Sequence, residues 1–292
     1  AVVLQQAISA NPDEGLFELA ADIALERGES KVASGYIDSM SEGPRKDLRS
    51  AWLARSEGEW DLAEEIEASA ISRLEPEDRV RAEVSSLVRK YDDRLPGTDS
   101  GTIAKNLISG ADSVSLSDLG SEDRELASLA LDMLRHSLAL EGGNLEEASR
   151  TRDAIEGRMG SDDPRIPALD LRSRLSAGAE GEAFLDEALE AAKSHIESSN
   201  DPLDKLRTMH MSLEACSEPP KWLVEAHSDF DLDSLRESLA PHRRAIAHWW
   251  YWRGVVLREE RLSSWREAIV RLRSSGCGNA ARDLTRKLSR EL

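Results

Sequence analysis

Apolar and polar residues recur along this chain almost everywhere with the three-to-four-residue beat of a helix. Leu16, Leu19, Ala20, Ile23 and Ala24 form one face of a segment capped by Asn11 and opened by Pro12; Gly28 stops it after Arg27. The same punctuation predicts helices from Ser30 to about Met40, from Pro44 to Gly58, from Trp60 or Asp61 to Leu74, and from Glu77 to Tyr91 after Pro76. Residues 94–101 are a loop by composition, followed by a short helix at 102–109 and a polar stretch at 110–121. Helices are then expected at 123–141, 145–159, 164–177, 180–198 and 202–216, with an interruption at Pro219-Pro220. Ser234 and Glu237 read as a capping box before a short helix. A long helix from Pro241 to about Arg261, then helices at 263–274 and 279–291, complete a set of about fourteen. Sustained two-residue alternation is missing, and Ala, Leu, Glu and Arg dominate, so an all-α fold without a sheet is expected.

These elements follow an order: helix, glycine turn, helix, break. The clearest unit runs Ala51-Trp52-Leu53, then Gly58-Glu59-Trp60-Asp61-Leu62-Ala63, then Ala70 and Pro76. Gly28 with Ala33, Gly143 with Ala148, Gly178 with Ala183 and Gly276 with Ala281 repeat the Gly-to-Ala spacing of five. Trp250, Gly254, Leu257, Trp265 and Ala268 form a looser copy with about two inserted residues. Two helices that cross closely need Ala or Gly where they touch, and a turn at positive φ needs Gly. Gly58, Trp60, Ala63, Ala70 and Pro76 resemble the signature series of the tetratricopeptide (TPR) repeat. The resemblance covers about two-thirds of the chain, near the family's ~34-residue period. It implies an α-solenoid of antiparallel helix pairs wound into a right-handed superhelix. It also implies a concave groove lined by the first helix of each pair, and a peptide or helix of a partner protein as the bound element. Repeats are expected at 1–93 and 122–240, an irregular connector at 94–121, and basic, Trp-rich helical repeats at 241–292.

Charge changes the picture in one respect. The 292-residue chain carries 56 acids and 38 bases, a net charge of −18, which excludes a uniformly basic nucleic-acid binder. Yet residues 241–292 hold twelve bases and five acids, so the end of the chain is +7 while the rest is −25. That asymmetry points to a partner or to docking within the chain. Eight lysines against thirty arginines on an acidic chain resembles the composition of salt-adapted proteins, although a GC-rich genome would equally favour Arg over Lys. No apolar run approaches the ~18 residues of a membrane span. The chain opens Ala1-Val2-Val3-Leu4-Gln5-Gln6-Ala7 without Met, a helix cap or a secretory pattern, as a piece of a longer protein would. Cys216 and Cys277 read as free thiols of a reducing, cytoplasmic compartment.

The most unusual hexapeptide is His248-Trp249-Trp250-Tyr251-Trp252-Arg253. It is read either as packing between repeats or as a contact face centred on Trp249 and Trp252 and rimmed by Arg243, Arg244, Arg253 and Arg258. Basic charge interleaved with aromatics could also stack on single-stranded nucleic acid, the alternative function. No metal or other cofactor is expected: His136, His195, His210, His227, His242 and His248 are scattered, with no HExxH and no i, i+4 pair. Asp229–Asp233 resembles the opening of a calcium loop but has Ser234 and Ala240 where Gly and Glu are needed. Gly97 to Lys105 lacks P-loop spacing. An (α/α)-barrel hydrolase is the enzyme alternative, but four of the seven tryptophans crowd into 249–265 instead of spreading round a barrel. The leading expectation is a non-catalytic scaffold for protein–protein interaction.

Overall fold

The computed structural model describes residues 10, 13–95, 101–163, 165–177, 182–232 and 243–292. Among them every regular element is helical: fifteen α-helices and two short 3-10 segments, with no strand. In chain order the helices are α1 (Glu14–Arg27), α2 (Ser30–Asp38), α3 (Pro44–Glu57), α4 (Trp60–Ser72), α5 (Pro76–Asp92), α6 (Gly101–Ser113), α7 (Ser121–Glu141) and α8 (Leu145–Met159). They continue with α9 (Arg165–Ala177), α10 (Glu182–Ser198), α11 (Pro202–Ala215), α12 (Lys221–Ser228), α13 (Arg243–Val256), α14 (Arg261–Ser274) and α15 (Gly278–Glu291). No described helix is long and apolar enough to cross a membrane.

One backbone motif recurs four times. Gly28, Gly58, Gly143 and Gly276 adopt φ of 67°, 90°, 69° and 76°, the left-handed region where a side chain is strained. At each, the next residue donates its N–H back to the preceding helix: Glu29 to Ala24, Glu59 to Ala54, Asn144 to Ala139 and Cys277 to Leu272, all at 2.8–2.9 Å. Carbonyls left over at the helix end are thereby satisfied and the chain reverses at once. Five residues past each glycine lies Ala33, Ala63, Ala148 or Ala281, none more than 1% exposed. Only a methyl fits there because the paired helices touch at that point. Ala70, one further turn or two into α4, is equally buried. Gly178 of the fifth copy lies outside the described residues.

Helices joined by these turns pack on each other, and further packing links α2 to α3, α5 to α6 and α7, α9 to α7 and α8, and α11 to α9, α10 and α13. Between the first helices runs a chain of ion pairs: Glu18 and Asp22 of α1 with Arg45 and Arg49 of α3, Arg45 with Asp78 of α5, and Arg81 of α5 with Asp123 of α7. The end of the chain returns to its beginning. α14 packs on α3, and the Gly278 backbone lies so close to the Trp60 indole that a Cβ there would overlap the ring. Asp93, just past α5, caps α15. Its carboxylate accepts the N–H groups of Asn279 and Ala280 at 3.1 Å each, and the Asn279 side-chain amide at 3.0 Å. Beneath this contact Arg55 meets Glu67 at 2.8 Å, and Glu67 also takes Arg89 and Ser86.

The structure departs from expectation at several boundaries. α1 begins at Glu14 with Asp13 as its cap, accepting from Gly15 N–H at 2.9 Å; Asn11 and Pro12 lie outside the described residues, as do Ser234 and Glu237. α6 runs on to Ser113 through the stretch expected to be irregular. α12 is an addition to the expected set: Pro219-Pro220 predicts only an interruption, whereas Pro220 stands at the N-cap of this helix. The long helix expected to reach Arg261 ends at Val256. Leu257 leaves the helical region at φ −101° and ψ 86°, and a 3-10 turn follows at Arg258–Glu260.

Candidate functional site

α13 carries the aromatic hexapeptide and is enclosed by α11, α12 and α14. A helix packed on several sides has apolar residues around most of its circumference, which accounts for the run of rings. Trp249 and Trp252 are only 5% and 6% exposed, so neither indole offers a surface to a partner in this structure. They belong to one core cluster with Tyr251, Trp265, Leu206, Met209 and Leu223. Trp265 donates its indole N–H to the Tyr251 carbonyl at 3.1 Å and stacks on the Tyr251 ring at 6.3 Å. Gly254 makes room for it: a Cβ there would overlap the Trp265 ring.

Of the four rim arginines, three are engaged within the chain. Arg243 lies against the Gly28 turn, Arg244 pairs with Asp92, and Arg253 pairs with Glu260 at 2.7 Å while covering the Trp249 ring at 5.1 Å. Arg282 in α15 likewise covers Trp60 at 4.8 Å and reaches Asp61 at 3.5 Å. Much of the charge asymmetry is thus spent inside the molecule. Arg258 remains exposed.

Three histidines that the sequence scatters over three helices come together beside Trp249. His210 of α11 stands 6.1 Å from His227 of α12 and 6.4 Å from His248 of α13, and His227 stacks on Trp249 at 5.4 Å. His210 Nε2, both ring nitrogens of His227, His248 Nε2 and the indole nitrogens of Trp249, Trp250 and Trp252 are buried without a hydrogen-bond partner among the described residues. Each such atom costs roughly 1–3 kcal/mol, so this junction is bought at the expense of stability. Burial holds all three imidazoles neutral: His227 and His248 titrate at about 3 and His210 well below its usual range. The lesser causes have the same sign. Arg253 acts on His227, Arg244 on His248, and the other two histidines on His210. Among the described residues no group of three side chains is arranged to hold a metal ion. The signal missing from the sequence is α12 itself: with no helix predicted at 221–228, nothing directs His227 to the core.

The remaining histidines differ in part. His136 is fully buried in α7 and burial lowers its pKa too; its Nε2 has no partner among the described residues, but its Nδ1 donates to the Ala148 carbonyl at 2.9 Å, which anchors the ring. His195 pairs with Asp204 at 2.6 Å near the surface, and His242 lies outside the described residues. A second polar network is fully connected. Arg172 donates to Ser137 at 2.7 Å and to the Tyr91 hydroxyl at 2.8 Å; that hydroxyl donates to Glu141, which Arg94 holds with two bonds. A cleft of about 450 Å³ opens beside α8 and α9, but Arg152 in its wall is already paired with Asp170. Cys277 is buried in the last turn, where burial pushes its thiol up to about 11; Cys216 is half-buried and shifted the same way.

On the outside, α14 shows a stripe of a different kind. Leu262 and Val270 are 39% and 61% exposed, and Arg266 and Arg273 are exposed between and beyond them; Arg258 precedes the stripe by one turn. The opposite side of the same helix buries Trp265, Ala268, Ile269 and Leu272. No family model matches the chain, and no curated protein or solved structure matches it.

Proposed function

We propose that the chain is a TPR-like α-solenoid of stacked antiparallel helix pairs that acts as a non-catalytic scaffold, binding a peptide or helix of a partner protein. The observation that carries this reading is the fourfold recurrence of one turn, with a left-handed glycine, the same returning hydrogen bond and a buried alanine five residues on. A unit repeated in this way cannot bury its apolar face alone, and stacking such units creates extended surface instead of a single enclosed cleft. The ion pairs linking α1, α3, α5 and α7 support a side-by-side arrangement of first helices. Affinity capture from a native lysate, nuclease-treated and untreated, tests the function. A protein retained in both arms supports a scaffold. A partner lost after nuclease treatment supports instead the nucleic-acid reading, for which the exposed arginines of α14 speak. Retention of no macromolecule in either arm defeats both.

A further inference from the structure

Resting on the scaffold reading, we propose that the exposed face of α14 is the docking surface for an acidic amphipathic helix. Leu262, Arg266, Val270 and Arg273 follow one another at spacings of four, four and three, which places them on one stripe of the helix. At 1.5 Å per residue the stripe extends about 17 Å, the length of three turns of a docked helix. Arginine is enriched in contact centres, and the exposed Leu262 and Val270 add apolar area that a partner would remove from water. Other exposed apolar residues, such as Leu126 and Phe184, stand on helices whose surfaces do not combine them with a row of cations.

Charge selects the occupant. None of Arg258, Arg266 and Arg273 has an ion-pair partner among the described residues, in a molecule where Arg45, Arg49, Arg81, Arg94 and Arg152 are all paired. The acids nearest in sequence are committed or peripheral: Glu267 pairs with Arg271 on the adjoining face, Glu260 with Arg253, and Glu259 lies in the 3-10 turn before the stripe. Arg273, in the last turn, also suits the negative end of the helix dipole. Arg266 at mid-helix and Arg258 outside it have no such local role. A partner that places carboxylates over these guanidinium groups and leucine-sized side chains over Leu262 and Val270 complements both features.

The test uses two synthetic helical peptides of about four turns, Leu- and Glu-patterned at i, i+3, i+4 and i+7, and the same pattern with Lys for Glu. Binding is read by fluorescence anisotropy at two salt concentrations. The acidic peptide should bind and the basic one should not. Arg266→Glu with Arg273→Glu should weaken the acidic peptide about tenfold or more, and Val270→Asp should do so separately, with unchanged thermal unfolding. Because these positions are exposed, the variants fold. Equal binding by wild type and variants, or no binding of the acidic peptide, overturns the surface. So does a salt-dependent dimer of the wild-type chain that the substitutions abolish, since the occupant is then a second copy. A native protein partner captured equally by wild type and the double variant defeats this surface but leaves the scaffold reading standing. Capture of no macromolecule at all defeats the scaffold reading whatever the peptides do.

Discussion

The first helix pairs and the last ones share a turn but have opposite interiors. Around Gly28 and Gly58 the core is dominated by alanine (Ala20, Ala21, Ala24, Ala33, Ala51, Ala63 and Ala70) with Leu25 and Ile37 among them, and its buried nitrogens without a hydrogen bond are confined to Arg55 and Trp60 among the described residues. Around α11 to α14 it is made of tryptophan, tyrosine and imidazole, with ring nitrogens left unpartnered. The two turns that meet show the contrast within a single position. Two residues past the glycine stands Trp60 in one and Gly278 in the other, and the indole occupies the space the glycine leaves. The repeated backbone is therefore neutral about content. Close crossing of small residues stabilises the beginning of the chain, whereas large rings fill the end and give up some hydrogen bonding to do so.

Acid should separate the two regions most sharply. The folded-state pKa values of His210, His227 and His248 lie below the ordinary 6.5, so the unfolded chain binds more protons. Stability conferred by the neutral rings is complete above about pH 6.5 and falls as the pH drops from there towards about 3. At pH 5 the loss is on the order of 2 kcal/mol for each of His227 and His248, and His210 adds a loss of the same sign. Residues 1–135 contain no histidine, so α1 to α6 supply an internal control. Hydrogen exchange at pH 5 should show α11 to α13 opening before α1 to α4, and a His227→Leu variant should have a flatter pH profile. Equal loss of protection at both ends would contradict the contrast.

Ala63→Trp attacks the small-residue side. Overpacking a closed crossing costs roughly 1–3 kcal/mol and occasionally more, read as a lower urea midpoint. An unchanged midpoint would mean that the crossing is not tight. Gly278→Ala puts a methyl where the Trp60 ring lies, with an expected cost of about 1–2 kcal/mol. The same substitution in a Trp60→Ala background should cost less, and a double-mutant cycle with no coupling would show that the two turns do not meet. The smallest effect is expected from Asp93→Asn. It weakens the cap on α15 by about 1 kcal/mol and should appear as fraying of α15 alone, measurable by amide exchange.

The helices and their turns were legible because backbone demands are local. A left-handed turn requires glycine at 28, 58, 143 and 276, and a close crossing requires alanine five residues later. The helix expected at 145–159 has those bounds in the structure, where Asn144 caps it, accepting from Glu147 N–H, and Gly160 ends it. The convergence of His210, His227 and His248 was not legible. Each imidazole occupies an inward position of a different helix, and nothing in the spacing of 17 and 21 residues records that those positions face one another. Nor was the pairing of Trp60 with Gly278, since a glycine that vacates space for a distant ring reads in sequence like any other turn glycine. The hexapeptide at 248–253 was conspicuous, but composition does not distinguish a helix enclosed by neighbours from one that displays its rings.

Asp93 also sets an order of events. Its carboxylate is synthesised about 186 residues before the N–H groups it caps. Each helix pair closes on its own turn long before then, a local and rapid step. α15 alone cannot finish locally, because its first turn borrows an acceptor made near the beginning. A nascent chain halted before residue 278 therefore lacks both the backbone that lies against the Trp60 indole and the N–H groups that Asp93 accepts. Both are engaged when the last fourteen-residue helix docks.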